Sequence, residues 1–131
     1  MKLNELRDKI HKNAKAKGWY DTEINYASES SRALEHAFFA QKIALIHSEL
    51  SEALEADRKD NHAKLGVDAY SDFFDKKSFE IWIKNTVEDE LTDVILRVLD
   101  LCGSMGIDIE KHIELKMKYN ELREYKHGKN F

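Results

Sequence analysis

The stretch 43–57, IALIHSELSEALEAD, constrains the fold more than any other, because its local structure has one solution and that solution cannot stand alone. Ile43, Ile46, Leu50, Ala53 and Leu54 recur at three-and-four spacing, the pattern of an amphipathic helix whose continuous apolar face demands a core. Glu49 and Glu52 stand one helical turn apart, so their carboxylates project from one side, near the edge of that face. Such a pair repels by roughly 0.2–0.5 kcal/mol in solvent and by more when partly buried, unless a cation or a donor lies between. In a chain with 35% charged residues, a solvated acidic face is the commoner explanation of a single E-x-x-E. A second pair is needed to decide.

The remaining sequence supplies helices for this one to pack against. It contains no proline, five glycines and many helix formers, which predicts an all-α chain without a parallel sheet. At 131 residues, 1–131 fits one domain whose burial is completed in part by partner subunits. Leu3, Leu6, Ile10 and Ala14 predict a first helix over 3–17, stopped by Gly18. The following Trp19 and Tyr20 can plug the helix end or stack on a planar ligand. Ser28, Ser30 and Ser31 are candidate caps for a second helix running to Asp57, about twenty-five residues in all.

After Arg58 the pattern breaks, around Gly66, Tyr70, Phe73 and Phe74, and 58–84 reads as an insertion whose aromatics need cover. Helical spacing resumes near Ser78 with Phe79, Trp82 and Ile83 and is expected to continue through Val87, Leu91, Val94 and Val98 to a stop at Gly103 or Gly106. Asp108 caps a last helix carrying Ile109, Ile113, Leu115 and Met117. The expectation is a four-helix bundle with an insertion between the second and third principal helices.

A net charge of −4 argues against a nucleic-acid polymer as partner, while the basic residues of the last third keep small phosphates open. Cys102 is the only cysteine, which removes intrachain disulfides and cysteine-based zinc sites and fits a reducing cytoplasm. No signal-peptide pattern is present, and the apolar run 94–102 is interrupted by Arg97 and Asp100, so a soluble protein without a membrane partner is expected.

The second acidic pair is Glu90 and Asp93, again one turn apart and flanked by Leu91, Val94 and Ile95. With the two helices antiparallel, Glu49, Glu52, Glu90 and Asp93 would converge at a charge density that calls for hard divalent cations, magnesium first. Carboxylate-only ligation disfavours zinc. No Glu-x-x-His pair accompanies either motif, since Glu124 and His127 fall in the tail, so a di-iron bundle lacks its diagnostic histidines.

ELSEALEADRK, then EDELTDVILRVLDLCGSMGIDIEKHIELKMKYN, then REYKHGKNF together resemble the MazG-like all-α nucleotide pyrophosphohydrolases. That family carries E-E-x-x-E on one helix and E-x-x-D on another, binds magnesium, and cleaves nucleoside triphosphates to monophosphate and pyrophosphate. The resemblance maps Glu49 and Glu52 onto the last two glutamates of the first motif, and Glu90 and Asp93 onto the second. Ser48 stands where the family has its leading glutamate, and the gap between the motifs is longer here than usual.

The resemblance implies a magnesium-dependent enzyme in which metal bridges the carboxylates to a polyanionic substrate and acidifies a water, with Glu49 or Glu52 orienting or deprotonating it. Lys116 and Asn120 share a face of the last helix and, with Arg123, Tyr125 and Lys126, are the candidate substrate ligands; Trp19 is the candidate stacking residue. A solvated basic tail is the competing explanation for the former group. The alternative function is a non-catalytic helical module that binds nucleotides or a protein partner. Self-association to a dimer or tetramer is expected from the apolar surface of Phe73, Phe74, Phe79 and Trp82.

Overall fold

The computed structural model describes residues 2–21, 29–64 and 75–124, and among them every regular element is a helix. In chain order these are α1 (Leu3–Ala16), α2 (Glu29–Arg58), α3 (Lys76–Trp82), α4 (Val87–Ser104) and α5 (Ile109–Glu121). No helix among the described residues is long and apolar enough to cross a membrane. The insertion residues Tyr70, Phe73 and Phe74, the candidate cap Ser28, and the tail residues Tyr125 and Lys126 lie outside what is described, whereas Ser30 and Ser31 fall within the first turn of α2 and do not cap it.

α1 stops where Gly18 takes φ +85°, a left-handed value that costs glycine little and other residues more. α2 is 30 residues long, some five more than its sequence suggests. The third principal helix is not continuous. Between α3 and α4 the chain turns at 83–86, with Asn85 at φ +62°. Thr86, almost fully buried, accepts from the Asp89 backbone N–H at 3.3 Å, while the Asp89 carboxylate accepts from the Asn85 N–H at 2.8 Å. These bonds start a new helix and so end the old one. α3 has its own cap, Asp75, whose carboxylate accepts from the Ser78 and Lys77 N–H groups and from the Ser78 hydroxyl. Those bonds, the one from the Ser78 hydroxyl foremost, hold its pKa below the ordinary value.

The chain divides into two compact units, 1–21 with 99–131 and 22–98, the boundary falling inside α4. In the first unit α1 lies against the start of α5. Glu110 accepts from the Leu3 N–H at 3.0 Å, Asn4 donates to Asp108 at 2.8 Å, and Arg7 donates to the Ile107 carbonyl. Asp108 also caps α5 by accepting from the Lys111 N–H at 3.1 Å, as the sequence suggests. Tyr20, Leu99, Leu101 and Cys102 are buried here. Asp100 accepts from the Tyr20 hydroxyl at 2.8 Å and bonds His11 Nδ1 at 2.9 Å, and the two rings meet edge to face at 4.7 Å. Gly103 makes this approach possible, since a Cβ there would stand 2.6 Å from the His11 Cβ.

In the second unit α2 and the first part of α4 run antiparallel: Glu49 pairs with Arg97, whereas twelve residues later Asn61 accepts from the Val87 N–H at 3.1 Å. The segment 61–64 is clasped to the α3–α4 junction by four further bonds. Asn61 donates to the Asn85 carbonyl at 2.8 Å, Lys64 N–H to the Trp82 carbonyl at 3.1 Å and Ala63 N–H to Glu88 at 2.8 Å, and His62 meets the same Glu88 at 3.2 Å. The Ala63 bond, first among several, holds Glu88 below the usual carboxylate range.

Candidate functional site

α2 turns Glu49, Ala53 and Ala56 toward α4, and all three are buried. That line follows the three-and-four rule, so the glutamate occupies a position otherwise filled by small apolar residues. Glu52 follows Glu49 by one turn and is exposed. From α4, Glu90 faces the same region. Glu49 and Glu90 are only 6% and 5% exposed, a burial that carboxylates tolerate when paired, protonated or bound to a cation.

Glu49, Glu52 and Glu90 each offer one carboxylate oxygen to a cluster whose atoms all lie within 4.8 Å of one another. Two oxygens on one magnesium at ~2.0–2.1 Å from it are at most about 4.2 Å apart, so side-chain adjustments of a few tenths of an ångström bring the three within range of one ion. The donor set is all oxygen and anionic, which suits a hard divalent cation.

Crowding shows in the protonation. Burial, then a hydrogen bond with Glu52 and the charges of Glu52, Asp89 and Glu49, push Glu90 up to about 7. Asp93 is also raised, by burial first and then by Asp89 and Glu49, with Arg97 acting against them. Asp93 is half-buried and stands one turn beyond Glu90, outside the three-oxygen cluster. Three of the four carboxylates singled out from the sequence therefore come together, and the fourth borders them.

One residue of this cluster is absent from the sequence argument. Arg97 donates through Nε to Glu49 at 2.6 Å, an ion pair in which the glutamate side chain is 8% exposed and the arginine 38%. Arg97 follows Glu90 by seven residues, two turns of helix, so it shares the Glu90 face. That spacing was available in the sequence, where Arg97 serves only as an interruption of an apolar run.

The candidate substrate ligands belong to the other unit. Lys116, Asn120 and Arg123 are exposed, the first two on α5 and the third just after it. Lys116 and Arg123 both lie over the Tyr119 ring, with Nζ 5.1 Å and the guanidinium carbon 4.8 Å from its centroid. Lys118, in contrast, is engaged by Glu114 at 2.6 Å. Of the two aromatics after α1, Tyr20 packs inside and Trp19 is 62% exposed, so the plug and the available stacking surface are different residues.

Comparison of the chain with protein-family models, with curated proteins and with solved structures finds no match in any of the three.

Proposed function

We propose that the chain is a magnesium-dependent nucleoside triphosphate pyrophosphohydrolase of the MazG-like all-α kind, releasing pyrophosphate and a nucleoside monophosphate. The observation that carries the reading is the convergence of Glu49, Glu52 and Glu90 from two antiparallel helices. Three buried or crowded carboxylates, one of which retains its proton to about 7, form a ready site for a divalent cation. The order of the two acidic motifs and the basic ending support the same assignment.

On this reading Glu49, Glu52 and Glu90 hold the metal, with Asp93 beside them. An ion held by these carboxylates would supply positive charge for phosphate oxygens and would make a water more acidic. Glu52, the exposed member, orients that water or takes its proton. Arg97 holds Glu49 in one orientation, as an outer partner does for a ligand. Lys116, Asn120 and Arg123 are the proposed phosphate and sugar ligands, Trp19 the proposed base-stacking residue, and Tyr125 and Lys126 the proposed contributions of the tail. The enzyme acts in the cytoplasm on the nucleotide pool.

A second reading draws on the Glu49–Arg97 pair. An arginine on Glu49 and a proton on Glu90 satisfy much of the cluster without any metal, as in a non-catalytic helical module that binds nucleotides or a protein. Pyrophosphate release from a panel of nucleoside triphosphates, with and without magnesium, separates the two. Magnesium-dependent release abolished in Glu52→Gln supports the enzyme; no release from any substrate supports the module.

A further inference from the structure

Glu90 belongs to the first turn of α4, so one carboxylate of the acidic cluster is carried by a helix end, the part of a helix that opens most readily. The Glu49 and Glu52 oxygens stand within 4.8 Å of its own, and like charges at that separation repel. Thr86 and Asp89 fix where α4 begins, but their bonds are local to 85–89 and do not reach α2. The Arg97–Glu49 ion pair does join the two helices, yet it lies two turns beyond Glu90. At the start of α4 the tie comes from 61–64.

α2 ends in a turn at Asp60, φ +53°, where the Asp60 and Asn61 N–H groups donate to the Asp57 and Ala56 carbonyls at 2.9 Å. That turn aims the chain across the start of α4. The Asn61 carbonyl accepts from the Val87 N–H, a donor the helix itself leaves unpaired, and the Asn61 amide donates to the Asn85 carbonyl. Glu88 reaches out from α4 to the same segment, one oxygen accepting from the Ala63 N–H at 2.8 Å and the other meeting His62 Nδ1 at 3.2 Å. About 3 Å of rise and about 200° of rotation separate Glu88 from Glu90, so the two carboxylates leave the helix on opposite sides.

We propose that Glu88 is a positioning residue for the acidic cluster: by gripping 62–63 it keeps the first turn of α4, and Glu90 with it, beside Glu49 and Glu52 while no cation is bound. This role rests on the reading of the cluster as a magnesium site. The three acids of the first turn divide the work among them, Asp89 in the turn that starts the helix, Glu90 in the cluster and Glu88 in the clasp. The Ala63 partner is a backbone N–H, which cannot swing away as a side chain can, so a carboxylate bound to it is held in place by a charge-assisted bond. Ligands already gathered when the ion arrives leave it less ordering to do, and outer partners of this kind change metal affinity by about 10–100-fold.

The test is calorimetric titration of the full chain with magnesium alone, at pH 8 and without nucleotide. Glu88→Ala should raise the Kd for magnesium about tenfold or more. Glu88→Gln, whose amide oxygen still accepts from the Ala63 N–H, should stay within about threefold of the parent. Should Glu88→Ala fail to fold, His62→Ala and Asn61→Ala each remove one bond of the clasp and are expected to weaken binding severalfold. Parent-like affinity in Glu88→Ala, or in both of those substitutes, overturns the proposal and leaves the magnesium reading standing. Equal losses in Glu88→Ala and Glu88→Gln also overturn it, because they would assign the effect to negative charge at a helix start and not to the clasp. A parent chain that binds no magnesium and releases no pyrophosphate refutes the magnesium reading itself, before any variant is compared, and the positioning role with it.

Discussion

Glu90 carries its raised pKa as a stability term that can be read in solution. Its folded pKa of about 7 exceeds the ordinary 4.5, so the folded state binds the proton more tightly than the unfolded chain does. Stability from this group is present at low pH and is lost as pH rises from about 4.5 to about 7. At about 1.36 kcal/mol per unit the loss is on the order of 3 kcal/mol, and urea titrations of Glu90→Gln against the parent should show the slope only in the parent. Glu52→Gln removes a charge that raises Glu90, so it should leave the Tm unchanged or slightly higher. Its kcat should fall about 100-fold or more if Glu52 handles the water. Arg97→Met leaves Glu49 buried without its cation and is expected to cost about 1–3 kcal/mol by chemical denaturation. At this scale Glu49, Glu52 and Glu90 were legible because a second one-turn carboxylate pair recurs beside an apolar stripe, where either pair alone would read as a solvated face. Arg97 was passed over because a lone arginine in an apolar run reads as a solvated interruption until its partner across the helix pair is known.

The long helices were legible as elements, and the places where they stop were less so. α1, α2 and α5 follow from periodicity and from Gly18 and Asp108. The break between α3 and α4 was hidden because Phe79, Trp82, Ile83 and Val87 keep helical spacing straight across it. The opposing signal, Thr86 three residues before Asp89, is a capping pattern whose hydrogen bonds win over the apolar rhythm. Within α4, Gly103→Ala offers a contest between local and tertiary effects. Helix propensity favours alanine by about 1 kcal/mol, yet the new Cβ would meet His11 at 2.6 Å. Overpacking of that kind costs about 1–3 kcal/mol, so a net loss of Tm is expected, with His11→Ala as the background that reverses its sign. On α5, Lys116→Ala forfeits one exposed contact with the Tyr119 ring, worth about 0.5–1 kcal/mol. If Lys116 binds phosphate, kcat/KM should fall by the equivalent of about 1–3 kcal/mol while the Tm hardly moves; equal losses in both would return the residue to a structural part.

For the whole molecule the helical class was legible from composition, since a chain without proline and with few β-branched runs has little else to become. How much apolar surface its units leave uncovered was not, because exposure depends on which faces meet and not on how many apolar residues there are. A cation binding the folded chain alone raises its stability by about 2.7 kcal/mol at a hundredfold excess over Kd. Magnesium should therefore raise the Tm at pH 8 and have little effect at pH 5, where the proton on Glu90 competes with it; equal shifts at both would place the ion elsewhere. The clasp of 61–64 onto the α3–α4 junction has a consequence for the history and the engineering of this chain. Because the Lys64–Trp82, Ala63–Glu88 and Asn61–Asn85 bonds fasten the segment entering the insertion to the one leaving it, the enclosed residues are not needed to hold the two long helices in register. The register of the two long helices in this unit is therefore carried by 61–64 and 82–88 themselves, whatever sequence joins them.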